Sequence, residues 1–187
     1  NMKQDNFQQR LLKHSEDFRK ILETPNGDWS VKGFIDIAKN IYTISVDTKV
    51  ISKIIELMMF PVLKKFADEN KYQMIFSAEQ NHYPDVTFIT PEKEKIALDL
   101  KSTYRNENGS ASGFTLGAFT GYFRERYSKK NITFPYSEYK KHYILGAIYT
   151  KQDGAIDENR VYTLDDLEEI LSVVKDFEFI VQEKYRI

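Results

Sequence analysis

The chain has 187 residues, 41% hydrophobic and 29% charged, with a formal net charge of −1, which is the size and balance of one globular domain with a sizeable core. It contains no cysteine, which excludes a disulfide framework, a thiolate metal site and a cysteine nucleophile, and fits a reducing, cytoplasmic setting. No apolar run reaches the roughly 20 residues that a membrane-spanning helix needs, no leader pattern opens the chain, and Asn1 ahead of Met2 reads as a residue left from expression, with the natural start at Met2.

From Asp5 to Leu22, the residues Phe7, Leu11, Leu12, Phe18, Ile21 and Leu22 recur near a helical period, and Thr24-Pro25-Asn26-Gly27 stops the pattern. Trp29 to Ile44 is mixed, with an apolar run at 41–44 that suits either a helix end or a strand. Residues 1–45 are therefore read as an N-terminal helical segment, assigned to dimerisation, and 46–187 as the core. Val46 to Asn70 is the longest helical candidate: Val50, Ile54, Leu57, Met58, Val62 and Phe66 form one apolar stripe, and Asp47 or Thr48 caps it. Pro61 inside that pattern predicts a kink or a break.

A β-rich run follows, with strands expected at 72–76, 86–90 and 95–101 and a turn at Pro91 to Glu94. Phe114 to Tyr127 reads as a helix, its Phe114, Phe119, Tyr122 and Phe123 taken as core rather than as base-stacking platforms. His142 to Thr150 is an apolar strand, Thr163 to Leu171 a capped helix, and Phe177 to Val181 a last strand. The mixed order predicts an α/β fold with helices on the faces of a short central sheet. Charge is unevenly distributed: residues 101–130 are net +4 and residues 151–187 net −5. The basic stretch is either a solvated face or an electrostatic footprint for nucleic acid.

The chemistry-bearing pattern is Pro84-Asp85, thirteen residues, then Asp99-Leu100-Lys101. On a strand, positions i and i+2 share a face, so Asp99 and Lys101 project together and the turn at Pro91 to Glu94 folds Asp85 back toward them. Two adjacent carboxylates resist joint ionisation. A hard dication such as Mg²⁺, which takes oxygen ligands and uses one or two protein carboxylates, removes that penalty. With the lysine beside them, these parts suit phosphodiester hydrolysis. An Asp-x-Lys pair alone is more often a surface salt bridge. The preceding Pro-Asp is what lifts this one above the background.

Pro84-Asp85 with Asp99-Leu100-Lys101 resembles the signature of the PD-(D/E)xK nuclease superfamily. Further stretches are similar to the EcoRV-like type II restriction endonucleases within it: Asp47-Thr-Lys-Val50 with Ile55-Glu56-Leu57, Gln80-Asn-His-Tyr-Pro-Asp85, Lys95 to Lys101, Gly113-Phe-Thr-Leu-Gly117, Tyr143 to Thr150 and Phe179 to Tyr185. The resemblance implies a restriction-endonuclease-like mixed central β-sheet flanked by helices. It implies a homodimer that hydrolyses double-stranded DNA with Mg²⁺. Asp85 and Asp99 match its metal-binding carboxylates, Lys101 its catalytic lysine and Glu56 its auxiliary metal-site acid. Gln80, Asn81 and His82 match a loop by the minor groove. Thr48, Lys49, Ser102 and Thr103 match positions at the DNA backbone or the base-reading surface, and Lys130 a phosphate contact. His14 and His142 are read as structural. The family's C-terminal region, with its major-groove loop, has no counterpart before Ile187, so the sequence also suits a structure-directed repair or recombination nuclease, or a truncated DNA-binding relative with little activity.

Overall fold

The computed structural model describes residues 7–77, 79, 81–113, 131–152, 154 and 159–184. The N-terminal apolar pattern forms two helices, α1 (Phe7–Leu12) and α2 (Ser15–Leu22), where one was expected. Between them, His14 is fixed by Asp17 at 2.9 Å and Glu69 at 3.0 Å. Two short strands follow, β1 (Gly33–Ile35) and β2 (Ile41–Thr43), which settles the apolar run at 41–44 as strand.

Helix α3 (Thr48–Glu69) starts where Asp47 accepts the backbone N–H groups of Lys49 and Val50, and it runs unbroken through Pro61. A proline inside a helix costs about 3 kcal/mol. Burial of Met59, Val62, Leu63, Phe66 and Ala67 around it offsets that cost. Val62 and Phe66 are buried as expected, but in the first half of the helix the buried positions are Ile51, Ile55 and Met59, one residue on from Val50, Ile54 and Met58, and Val50 and Leu57 are exposed.

The central sheet has the order β3-β4-β5-β6-β8, built from β3 (Gln73–Phe76), β4 (Val86–Ile89), β5 (Lys95–Tyr104), β6 (Tyr139–Lys151) and β8 (Val174–Glu183). Only β5 and β6 run parallel, and the other neighbours are antiparallel. Strand β7 (Val161–Tyr162) joins β1 and β2 in a second, three-stranded sheet. The helix expected at 163–171 is instead a 3₁₀ segment, Leu164–Glu169, begun by a reciprocal Thr163–Asp166 capping box. None of its residues is buried, so no apolar face draws it into a longer α-helix.

Helices α1 and α2 lie against β8, and α3 against β5 and β3. Ile96, Leu98 and Leu100 of β5 join that helical core, while Ala97 packs on the opposite face with Tyr83, Tyr136 and Tyr139. The alternation of β5 thus separates a core face from the face that carries Asp99 and Lys101. Among the described residues no helix is long and apolar enough to cross a membrane. The expected helix at 114–127, with its four aromatic residues, lies outside the described residues, as do Gln80 and Lys130.

Candidate active site

Antiparallel pairing of β4 and β5 sets Val86 opposite Leu98. Asp85, one residue before, therefore falls beside Asp99, one residue after. The backbone then fixes both carboxylates. Asp85 Oδ2 accepts the N–H of Leu100 at 2.7 Å, and Asp99 Oδ1 lies 3.4 Å from the N–H of Asp85. Asp99 is 3% exposed, and its Oδ2 accepts no hydrogen bond among the described residues although Lys101 Nζ stands 3.4 Å away. The segment leading into Asp85 is held on both sides: Tyr83 donates its N–H to Asn131 O and accepts from Thr133 N, each at 2.9 Å.

Burial, then the facing Asp99 carboxylate, then Glu56 push the Asp85 carboxyl up to about 8. Such a group holds a proton until a cation displaces it. The buried, bond-free oxygen of Asp99 and the strained ionisation of Asp85 are what a hard dication would satisfy, and oxygen is its preferred donor. The residues present therefore fit a divalent metal held by Asp85 and Asp99.

Glu56, on α3, is close enough to be coupled to both. Burial raises its pKa, Lys53 at 3.6 Å opposes that rise, and Asp99 adds to it. It does not close into a ligand set. Among the described residues no three His, Cys, Asp or Glu side chains stand together as a metal site.

Thr48, Lys49, Ser102 and Thr103 do come together, lining with Lys101 a cleft of about 500 Å³. Thr103 is buried at 6% exposure and offers the cleft less than its neighbours do. Asn81 takes a left-handed backbone conformation (φ 80°), and His82 pairs with Glu79 at 3.2 Å. Neither lines that cleft. His14 and His142 are both engaged in packing: His142 stacks 3.8 Å from the Tyr136 ring and bonds Tyr83 OH at 2.7 Å.

Two residues were not singled out from sequence. Ser52 lines the cleft and is hydrogen-bonded to Ser102 at 2.6 Å, latching α3 to β5. Its signal was the four-residue repeat Thr48, Ser52, Glu56, one turn apart along a single helix face. Lys184 is buried beside the acidic pair, and a lone lysine at a strand end carries no such signal.

The family model described as Restriction endonuclease EcoRV matches residues 25–187. The type II restriction enzyme EcoRV of Escherichia coli is 35% identical over 171 residues, covering 90% of this chain and 69% of that protein.

Proposed function

The chain belongs to the EcoRV restriction endonuclease family, and from that membership we propose that it is a site-specific endodeoxyribonuclease hydrolysing phosphodiester bonds of double-stranded DNA with Mg²⁺, through Asp85, Asp99 and Lys101. The observation that carries the reading is the convergence of these three side chains, with Lys101 also lining the cleft that Thr48, Lys49, Ser52, Ser102 and Thr103 share.

When bound by Asp85 and Asp99, Mg²⁺ supplies charge stabilisation at the scissile phosphate and makes the attacking water more acidic. Lys101 Nζ, about a quarter exposed, donates hydrogen bonds to that water or to a non-bridging phosphate oxygen, where negative charge grows as the bond to the leaving oxygen lengthens. The Leu100 N–H holds Asp85 Oδ2 in place, so the carboxylate does not need to reorganise when it is loaded. Glu56 serves as an auxiliary acid from α3. Thr48 and Lys49 at the start of α3, with Ser102 and Thr103 from β5, position the duplex through its phosphates, as helix N-termini, hydroxyls and lysines do. Asn81 and His82 extend that contact outside the cleft, and Gln80 and Lys130 are assigned to DNA contact on the sequence resemblance alone.

The protein acts as a homodimer, because a palindromic site requires two related cutting centres. The segment 1–45 supplies the surface that supports this: Phe34, Ile35 and Ile37 are exposed on and beside the small sheet, with Val161 of β7 exposed across the intervening β2. Exposed apolar groups clustered in this way mark an association face.

The test is cleavage of a plasmid library with Mg²⁺, with sequencing of the product ends. Uniform ends at one short palindrome are expected, and complete loss of cutting with EDTA. Robust cleavage in EDTA would overturn the metal assignment, and ends scattered without a common sequence would overturn site specificity.

A further inference from the structure

Lys184 stands where a lysine is expensive to keep. The residue is 2% exposed, and its Nζ makes no hydrogen bond among the described residues. Burying an ammonium without a partner is strongly unfavourable, and such an orphaned group requires an explanation. Two features of its surroundings supply one. Its Nζ lies 3.9 Å from the centre of the Tyr83 ring, within the range of a desolvated cation–π contact. Its charge is also felt by Asp99 and Asp85, which favour the ammonium, against Lys101, which opposes it.

We propose that Lys184 is a positioning residue for the cleavage reaction: its ammonium clamps the Tyr83 ring from the side of the sheet, and through Tyr83 and Pro84 it fixes the carboxylate of Asp85. Tyr83 is a suitable lever. Its backbone is hydrogen-bonded on both sides to the segment 131–133, its hydroxyl bonds His142 Nδ1 at 2.7 Å, and its ring stacks with Tyr136 and His142, so a charge held against the ring acts on a side chain already fixed in orientation. Asp85 follows two residues later. The neighbouring Glu183 is paired with Lys141 at 3.0 Å. Burial lowers the lysine's pKa to about 8, the nearby carboxylates opposing the fall, so the group is still mostly charged at neutral pH. A positive charge near the acidic pair also favours the ionised form of Asp85 and Asp99, easing loss of the Asp85 proton when a metal arrives.

This inference rests on the proposed cleavage by Asp85, Asp99 and Lys101, and the experiment separates the two. Wild-type protein that fails to cut DNA with Mg²⁺ refutes the proposed reaction. Wild-type protein that cuts while Lys184→Met cuts equally well refutes only the inference. The methionine keeps the apolar stem and removes the charge, so a lysine that merely fills space predicts a variant at least as stable and fully active. A positioning lysine predicts a variant that melts at or above the wild-type temperature and binds DNA in Ca²⁺ with unchanged affinity. Its kcat falls about ten- to a hundredfold, the scale of a small misplacement of a reacting group. Combined with Tyr83→Leu, the two losses in kcat should be strongly non-additive, because both remove one clamp. Additive losses, or a loss confined to KM, would overturn the role. Wild-type protein gives a check that does not depend on variant folding. The Cε protons of Lys184 should resonate upfield under the Tyr83 ring current and move when Ca²⁺ and DNA are added, whereas a resonance at the ordinary lysine position would overturn the clamp.

Discussion

Replacing Asp85 by asparagine removes one ionisable group from the acidic pair and leaves its geometry almost unchanged. The amide oxygen can still accept the Leu100 N–H that Asp85 Oδ2 accepts at 2.7 Å. The carboxyl it replaces has its pKa raised from 3.8 to about 8 by burial, Asp99 and Glu56. A raised carboxyl pKa means that the folded state binds the proton more tightly than the unfolded chain does. Its contribution to stability is therefore complete below the unfolded value and is lost as pH rises toward the folded one. One pKa unit is worth about 1.4 kcal/mol. At pH 7, about three units above 3.8, ionisation of the unfolded chain takes about 4 kcal/mol from the metal-free fold. Asp85→Asn should recover about 2–4 kcal/mol of this in EDTA, since the amide N–H₂ gains no obvious partner. In urea melts that is a midpoint raised by about 1–2 M for a slope near 2 kcal/mol/M. The gap between the two proteins should widen from pH 5 to pH 8. Mg²⁺ at a hundred times its Kd should return about 2.7 kcal/mol to the wild type alone. A variant less stable than wild type in EDTA at pH 7, or a gap independent of pH, would refute the picture of two carboxylates held together against their repulsion.

Lys101→Ala should reduce kcat by about a hundred- to a thousandfold, the value of one strong contact to developing charge, with the far-ultraviolet spectrum unchanged; wild-type rates would make Lys101 an ordinary partner of Asp99. Lys49→Ala should weaken DNA binding in Ca²⁺ equally for all sequences and lower the slope of log K against log salt by about 1, which titrations at several salt concentrations measure. Phe34→Asp with Ile37→Asp should convert a dimer to a folded monomer in sedimentation experiments, and an unchanged dimer would move the interface elsewhere. Metal binding at pH 7 should release close to one proton per site, read from titration calorimetry in buffers of different ionisation enthalpy; no release would mean that Asp85 is already ionised.

The strand proposed to carry the chemistry was legible because its signal is local. Asp99 and Lys101 alternate with Leu98 and Leu100, and a two-residue period admits only one division of faces. The same local information stops at partners. Strand β5 continues past Lys101 to Tyr104 because Ser102 and Thr103 pair with Ala147 and Ile148 of β6, more than forty residues on. Strands β1 and β2 have three residues each and are completed by Val161 and Tyr162, a pairing across most of the chain that no window of sequence contains. Helix α3 offered apolar residues on more than one face, and contact with β5 and β3 chose Ile51, Ile55 and Met59 over Val50 and Leu57. Lys184 was hidden for the same reason. In sequence it ends an alternating strand as a surface lysine would, and its burial is decided by Tyr83, about a hundred residues earlier.

Charge arithmetic at the site explains why cation and DNA should bind together rather than in turn. Asp85, Asp99 and Glu56 bring three negative charges when ionised, and Lys101 and Lys184 bring two positive ones, each coupled to Asp99 or to a neighbour of it. The resulting −1 is small, yet Asp85 still resists ionising, first because it is buried and then because Asp99 and Glu56 face it. A dication turns the balance to +1 once the Asp85 proton has left, and a phosphodiester brings it to zero. Each ligand thus removes the electrostatic objection to the other, and by linkage the factor by which DNA tightens the metal is the factor by which the metal tightens DNA. The proton on Asp85 is the restraint: it keeps the metal-free site close to neutral, and it leaves when a hard cation takes its place against the open oxygen of Asp99. A site built this way should load its cation most readily on bound duplex, which would place control of cutting in the cleft residues proposed to hold the phosphates.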